Sequence, residues 1–236
     1  MSSLHLFPIL GVGEIVAGDD LVDICLRALA AQGEQLAVND LVVVTSKVVS
    51  KSEGRVVPCD GSPAEREALV QAESTRVLRR RGPLRITQTR HGFVNANAGI
   101  DFSNAPEGTA VLLPVDPDRS ARRFRADVRR RTGIEIAVII TDTFGRTWRN
   151  GVTDVAIGSA GIQPILDLRG TTDANGRVLD VTEVAIVDEI AGAANLVLAK
   201  DGNTPFAVVR GLSPTYFGDG SVGDDIVRPP SGDMFR

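Results

Sequence analysis

The chain has 236 residues, of which 43% are hydrophobic and 24% charged, a globular balance that excludes a disordered tail protein and a fibrous repeat. A prior of roughly 150 residues per domain makes it one large domain or two small ones. Its 26 basic and 30 acidic residues leave a net charge of −4, which gives no general attraction to nucleic acid or an anionic membrane, so any polyanion binds at a local site.

In chain order, Leu21, Ile24, Cys25, Ala28 and Leu29 recur at helical spacing and predict an amphipathic helix over 21–31, begun by Asp19 and Asp20 and ended by Gly33. The β-branched run at 40–45 reads as a buried strand, with TSKVVSK leaving its C-terminal end. A helix is expected over 64–81, stopped by Gly82 and Pro83, then a hairpin of strands at 84–89 and 92–96. A glycine-containing loop, NAGIDFSNAPEG, leads to a strand at 109–113, a basic helix over 120–131 and a strand at 134–140. A helix over 182–198 and a strand at 206–210 complete a mixed α/β architecture. Residues 218–236, rich in Gly, Pro and Asp, read as a surface extension or linker.

Apolar runs such as 136–141 fall far short of the ~20 residues that cross a bilayer. The opening MSSLHLFPILGVGE lacks a basic region and is broken by Pro8 and Gly11, so no secretory signal is read there and a cytoplasmic protein is expected. Cys25 and Cys59 are the only cysteines and form no CxxC pair, which argues against a disulfide scaffold or a cysteine zinc site. Lys47, Lys51 and Lys200 are the only lysines; two share one segment, through either an arginine bias or a local need for a compact ammonium.

No GxxxxGK[ST] or GxGxxG pattern occurs. Polar clusters instead follow the predicted strands, where α/β proteins place ligands. The stretch from Thr45 to Lys51 joins hydroxyls and two ammonium groups, either as a phosphate cradle or as a solvated strand exit. Asp101, Ser103 and Asn104 set a carboxylate beside an amide in a loop, a pattern of turns more often than of metal sites. Most pointed is ITDTFGRTWRN at 140–150, where an apolar strand delivers Asp142 and Thr143. With Asp101 they would give a divalent ion its oxygen ligands; the alternative is an Asx turn at a strand end. Trp148 is expected to pack rather than to recognise a substrate. The arginines at 122–131 read as a solvated helix face, and DLRG with DANGR as turns with structural ion pairs. His91 is expected to satisfy the backbone of a hairpin turn, and two histidines in all leave no basis for a multi-histidine centre.

Taken together, VVTSKVVSKSEGR (43–55), TRHGFVNANAGID (89–101), LLPVDPDRSA (112–121), VIITDTFGRTWRNG (138–151) and TEVAIVDEIAGAA (182–194) resemble the coenzyme F420-0:L-glutamate ligases, the γ-glutamyl ligases of F420 biosynthesis. The resemblance runs almost end to end. It implies that GTP phosphorylates the terminal carboxylate of the lactyl-phosphate arm of F420-0 and that the amine of L-glutamate attacks the acyl phosphate, with later additions through the γ-carboxylate. It implies Lys51, Asp101 and Asp142 as the catalytic set, Asp101 and Asp142 on one Mg²⁺ or Mn²⁺ ion, and Thr143 at a second; K⁺ is a further expected ion. GTP contacts would fall on Val12, Gly13, Glu14, Ile15, Ser46, Lys51 and Asn104. It also implies an intertwined homodimer of two-subdomain chains with the active groove at the dimer interface. Two positions depart from the family's pattern: Gly13, where proline is more usual, and Lys200, where some relatives carry an acidic or amide ligand of the second ion. The tail RPPSGDMFR resembles the junction at which some relatives continue into a nitroreductase-like domain. Two other readings stand beside the ligase: a metal-dependent phosphotransferase or NTPase acting on another carboxylate, and a non-catalytic deazaflavin-binding module.

Overall fold

A computed structural model describes residues 3–102, 105–198 and 204–234. Its elements run β1 (His5–Pro8), α1 (Leu21–Ala31), β2 (Leu41–Thr45), α2 (Ser46–Ser52), β3 (Val56–Pro58), α3 (Pro63–Glu73), β4 (Ser74–Arg81), β5 (Leu84–Thr89), β6 (Val94–Ala96), β7 (Thr109–Val111), α4 (Pro117–Thr132), β8 (Ala137–Arg146), β9 (Arg149–Ala160), β10 (Leu166–Asp167), β11 (Glu183–Val184), α5 (Ile186–Ala194) and β12 (Phe206–Arg210). The mixed α/β order expected from the sequence is present.

The main sheet has strand order β1-β12-β2-β8-β9. Only β2 and β8 run parallel, Leu41 opposite Ala137 through Thr45 opposite Thr141; the other pairs are antiparallel. Residues 41–44 and 137–141 are buried because the sheet is covered on both faces. Helix α1 starts where Asp20 accepts the backbone N–H of Asp23 at 2.9 Å, and it buries Val22, Cys25, Ala28 and Leu29. Helix α4 starts at the Asp116 cap with Pro117 in its first turn and ends at Gly133. Its N-terminus passes so close to β9 that a Cβ on Gly158 would lie 2.4 Å from the Pro117 carbonyl carbon.

A three-stranded sheet, β4-β5-β6, and a two-stranded pair, β3-β7, form a separate region. A small second core of Cys59, Val70, Ala98, Ile100, Ala110 and Leu112 lies there, apart from the large core around the main sheet.

Four local expectations are corrected. Residues 64–81 are not one helix: α3 ends at Glu73 and Ser74–Arg81 is a strand paired with β5. The arginines of β4 are good helix formers, and cross-strand pairing overrides that propensity. Residues 46–52, placed by the sequence at a polar strand exit, are a helix. The strand expected at 134–140 begins at Ala137 and runs on to Arg146, where it turns into β9, a 12-residue strand the sequence reading did not contain. The helix expected over 182–198 is limited to Ile186–Ala194, with Glu183–Val184 in a strand. In the C-terminal stretch Val222 is fully buried, and the carboxylate of Asp118 accepts the N–H groups of Val222 and Gly223 at 2.9 and 3.0 Å as well as that of Ser159 at 2.8 Å.

Candidate active site

The parallel strands β2 and β8 end side by side, and a cleft of about 580 Å³ opens at their C-terminal ends. Three elements diverge there. β2 passes at once into α2, carrying Ser46, Lys47 and Lys51; β8 continues as a strand and brings in Asp142 and Thr143; β9 returns with Asp154. Because Thr143 and Asp154 are register partners on adjacent strands, their side chains share a face, and the Thr143 hydroxyl donates to Asp154 Oδ1 at 2.6 Å.

A fourth wall comes from the loop after β6. Asn97, Ala98 and Gly99 take successive φ values of 49°, 57° and 69°, a left-handed run that non-glycine residues rarely adopt. Gly99 is required for space as well, since a Cβ there would lie 2.8 Å from Leu113 Cδ1 and 2.9 Å from Asn95 Nδ2. The run turns the chain so that Asp101 enters a two-way backbone bridge with Val111 at 2.9 and 3.0 Å. Its carboxylate then meets Lys47 Nζ at 2.7 Å.

The electrostatics are uneven. Asp142 accepts the Ser46 hydroxyl at 2.7 Å. Burial nevertheless pushes its carboxyl up to about 7; the negative charges of Asp154 and Asp101 push the same way, against the Ser46 hydroxyl and the Thr143 N–H. Across the cleft, the buried Lys51 ammonium meets Glu14 Oε1 at 2.5 Å. The donor set is therefore hard oxygen, the carboxylates of Asp101, Asp142 and Asp154 with the hydroxyls of Ser46 and Thr143, which suits Mg²⁺ or Mn²⁺. Among the described residues no three His, Cys, Asp or Glu side chains meet closely enough to hold an ion by themselves. An ion here would complete its shell with hydroxyl, water and phosphate oxygens, as Mg²⁺ does in phosphate-handling sites.

Of the residues singled out in the sequence, Gly13, Glu14, Ile15, Ser46, Lys51, Asp101, Asp142 and Thr143 all line this cleft. Val12 does not; it is buried in the main core. Asn104 and Lys200 lie outside the described residues. The sequence reading missed Asp154, which is 5% exposed and lines the cleft beside Thr143; the available signal was the pair of β-like runs flanking RTWRNG. It also expected Trp148 to pack, whereas Trp148 is 85% exposed.

The remaining clusters are structural. His91 faces the carbonyls of Pro114 and Val115 at 2.9 and 3.1 Å through Nε2, meets the Thr89 side chain of its own turn at 3.3 Å through Nδ1 and stacks on Phe93, so it ties the hairpin to a neighbouring loop instead of satisfying the backbone of the turn. Along α4, Arg125 and Arg129 pair with Glu135, and Arg131 with Asp20 and Asp127, on a largely solvated face. Arg169 pairs with Asp167 at 2.6 Å and Glu183 at 3.2 Å, as expected of a turn.

The cleft gathers carboxylates, hydroxyls and ammonium groups at the ends of parallel strands, and comparison with known proteins gives the class of the protein as a ligase. The family model described as F420-0:Gamma-glutamyl ligase matches residues 10–211, and the chain belongs to that family. It is 38% identical over 250 aligned positions to a protein of Methanothermobacter thermautotrophicus named coenzyme F420:L-glutamate ligase, covering 99% of both chains. Proteins of the same name from Methanopyrus kandleri and Archaeoglobus fulgidus are 39% and 38% identical, covering 100% and 99% of this chain and 99% and 96% of theirs.

Proposed function

We propose that this chain is a cytoplasmic, GTP-dependent ligase that adds L-glutamate to coenzyme F420-0, and then a γ-linked glutamate to the first product, through an acyl phosphate. The observation that carries the reading is the make-up of the cleft. Asp101, Asp142 and Asp154 line it together with Lys47 and Lys51 of α2, the Lys47 ammonium 2.7 Å from Asp101, around a space of about 580 Å³. Family membership supplies the substrates.

In the first step a bond forms between the γ-phosphorus of GTP and an oxygen of the terminal carboxylate, and the bond to the GDP oxygen breaks. In the second the glutamate nitrogen attacks the acyl carbon, the bond to phosphate breaks, and the amine gives up a proton. Phosphoryl transfer needs positioning and charge neutralisation more than covalent help. Lys51 supplies a compact ammonium that follows the moving phosphoryl charge, and Glu14 holds it until the nucleotide takes its place. The segment Gly13, Glu14 and Ile15 forms the nucleotide side of the cleft with Ser46. Asp101, Asp142 and Thr143 would hold the two divalent ions, with K⁺ as a further ion. When bound, these ions neutralise phosphate oxygens and the charge that develops between donor and acceptor. The two separate hydrophobic cores support a two-subdomain chain, and we assign it to an intertwined homodimer with the groove at the dimer interface.

The test is to incubate the purified protein with F420-0, L-glutamate, GTP and Mg²⁺ or Mn²⁺, following glutamyl addition by mass spectrometry and GDP release together. Glutamylated product matched by GDP is expected. GTP cleavage without glutamylated product would instead make the chain a phosphotransferase or NTPase, and the absence of both a binding module.

A further inference from the structure

We propose that Trp148, with Arg146 and Arg149, forms the platform on which the deazaflavin ring of the acceptor stacks. The inference rests on the ligase reading above for the identity of the acceptor.

Trp148 is the only tryptophan in the chain and it is 85% exposed. A side chain that could bury 150–250 Å² is held in solvent at the turn of the β8–β9 hairpin. That hairpin is rooted in the cleft: Asp142, Thr143 and Asp154 line the pocket at its base, and its outer part pairs only with itself. β2 turns into α2 at Ser46, whereas β8 runs on to Arg146, so the hairpin rises from the end of the sheet at which the cleft opens.

Arg146 and Arg149 stand directly opposite each other in the ladder, immediately before and after the turn. Like charges in that position repel. Arg146 is fastened to the Asn150 carbonyl at 2.5 Å, and neither arginine has an acidic partner among the described residues. An anion brought between or beside them would relieve the repulsion. The hairpin turn therefore carries an exposed indole in the four-residue segment 146–149 that two facing cations bracket, a combination that suits a flat, electron-poor heterocycle on an anionic arm.

Because Trp148 is the sole tryptophan, its fluorescence reports on this site alone. Two probes serve: F420-0 itself, and the deazaflavin core lacking the phospholactyl arm, whose binding is followed independently by its own fluorescence anisotropy. Saturation with either probe is expected to quench Trp148. Trp148→Ala should raise the KM for F420-0 roughly tenfold or more while leaving the KM for GTP unchanged, and Trp148→Phe should keep most of the affinity. Saturation by the core without a change in Trp148 emission, or an unchanged KM in Trp148→Ala, would overturn the platform. So would a Trp148→Ala variant whose only change, seen by sedimentation, is loss of a dimer, which would make this tip a contact with a second copy. Core binding that quenches Trp148 in a protein unable to transfer glutamate would uphold the platform and remove the ligase reading. Transfer with Trp148 unaffected would do the reverse.

Discussion

The Thr143 hydroxyl donates its proton to the Asp154 carboxylate across the β8–β9 ladder, 2.6 Å away, and so leaves its oxygen lone pairs directed away from that carboxylate. Asp154 thus orients a residue proposed to meet a metal ion, as outer-shell partners do when they fix a ligand's direction and basicity. Asp154→Leu is expected to weaken Mn²⁺ binding about 10- to 100-fold, measured by titration of free Mn²⁺ in electron paramagnetic resonance. Asp154→Asn, whose amide oxygen still accepts the hydroxyl, should lose less. Equal losses in the two variants would show that the charge, not the hydrogen bond, is what Asp154 contributes.

Asp142 gives the metal-free protein a definite pH dependence. Its folded-state carboxyl titrates near 7, first because it is buried and then because Asp154 and Asp101 lie close, against an ordinary value of 3.8. The folded state holds the proton more tightly than the unfolded chain does, so stability is fully present below about pH 4 and is lost as pH rises towards 7. Asp142→Asn fixes the neutral form. In chelator, the variant should match the parent near pH 4 and exceed it by on the order of a few kcal/mol at pH 8, as read by urea unfolding. A constant difference across that range would show that Asp142 is not desolvated.

Much of this site was legible because each ligand-like residue follows an apolar run: Asp142 and Thr143 after a strand, Ser46 and Lys51 after another. Periodicity found α1, β2 and β12 for the same reason. Asp154 escaped because β9 is buried on both faces at 156–160, so no alternation marks it as a strand. The hairpin between β8 and β9 joins them through RTWRNG, which has no Asn-Gly at the two central turn positions and so reads as a loop. The split of 64–81 into α3 and β4 depends on β5, a partner that local propensity does not contain. The left-handed run that delivers Asp101 includes Asn97 and Ala98, and nothing in an alanine announces a positive φ.

Cys25 lies in the main core, fully buried, and burial alone pushes its thiol up to about 12. Only the thiolate reacts, so the native protein should leave Cys25 unmodified by a disulfide reagent at pH 8 on the timescale of free-thiol labelling. Two thiols should titrate after unfolding, since Cys25 and Cys59 are both free. Mass spectrometry of the labelled peptides checks this, and rapid native labelling at Cys25 would mean that α1 opens from the sheet.

Gly158 is a test of how rigidly α4 is set on β9. A Cβ at this position would lie 2.4 Å from the Pro117 carbonyl carbon and 2.5 Å from its oxygen, with the Asp118 nitrogen at 2.7 Å. All three are backbone atoms of a helix start held by the Asp116 cap and by the bonds from Asp118 to Ser159, Val222 and Gly223, so the neighbour has no flexible side chain to move aside. Its own φ is not in the left-handed region, and backbone strain would not contribute. Gly158→Ala is therefore expected to cost about 1–3 kcal/mol through overpacking alone. The loss should appear as a lower urea midpoint at an unchanged slope. An unaltered midpoint would mean that α4 slides on the sheet, and the C-terminal stretch anchored to Asp118 would have to move with it.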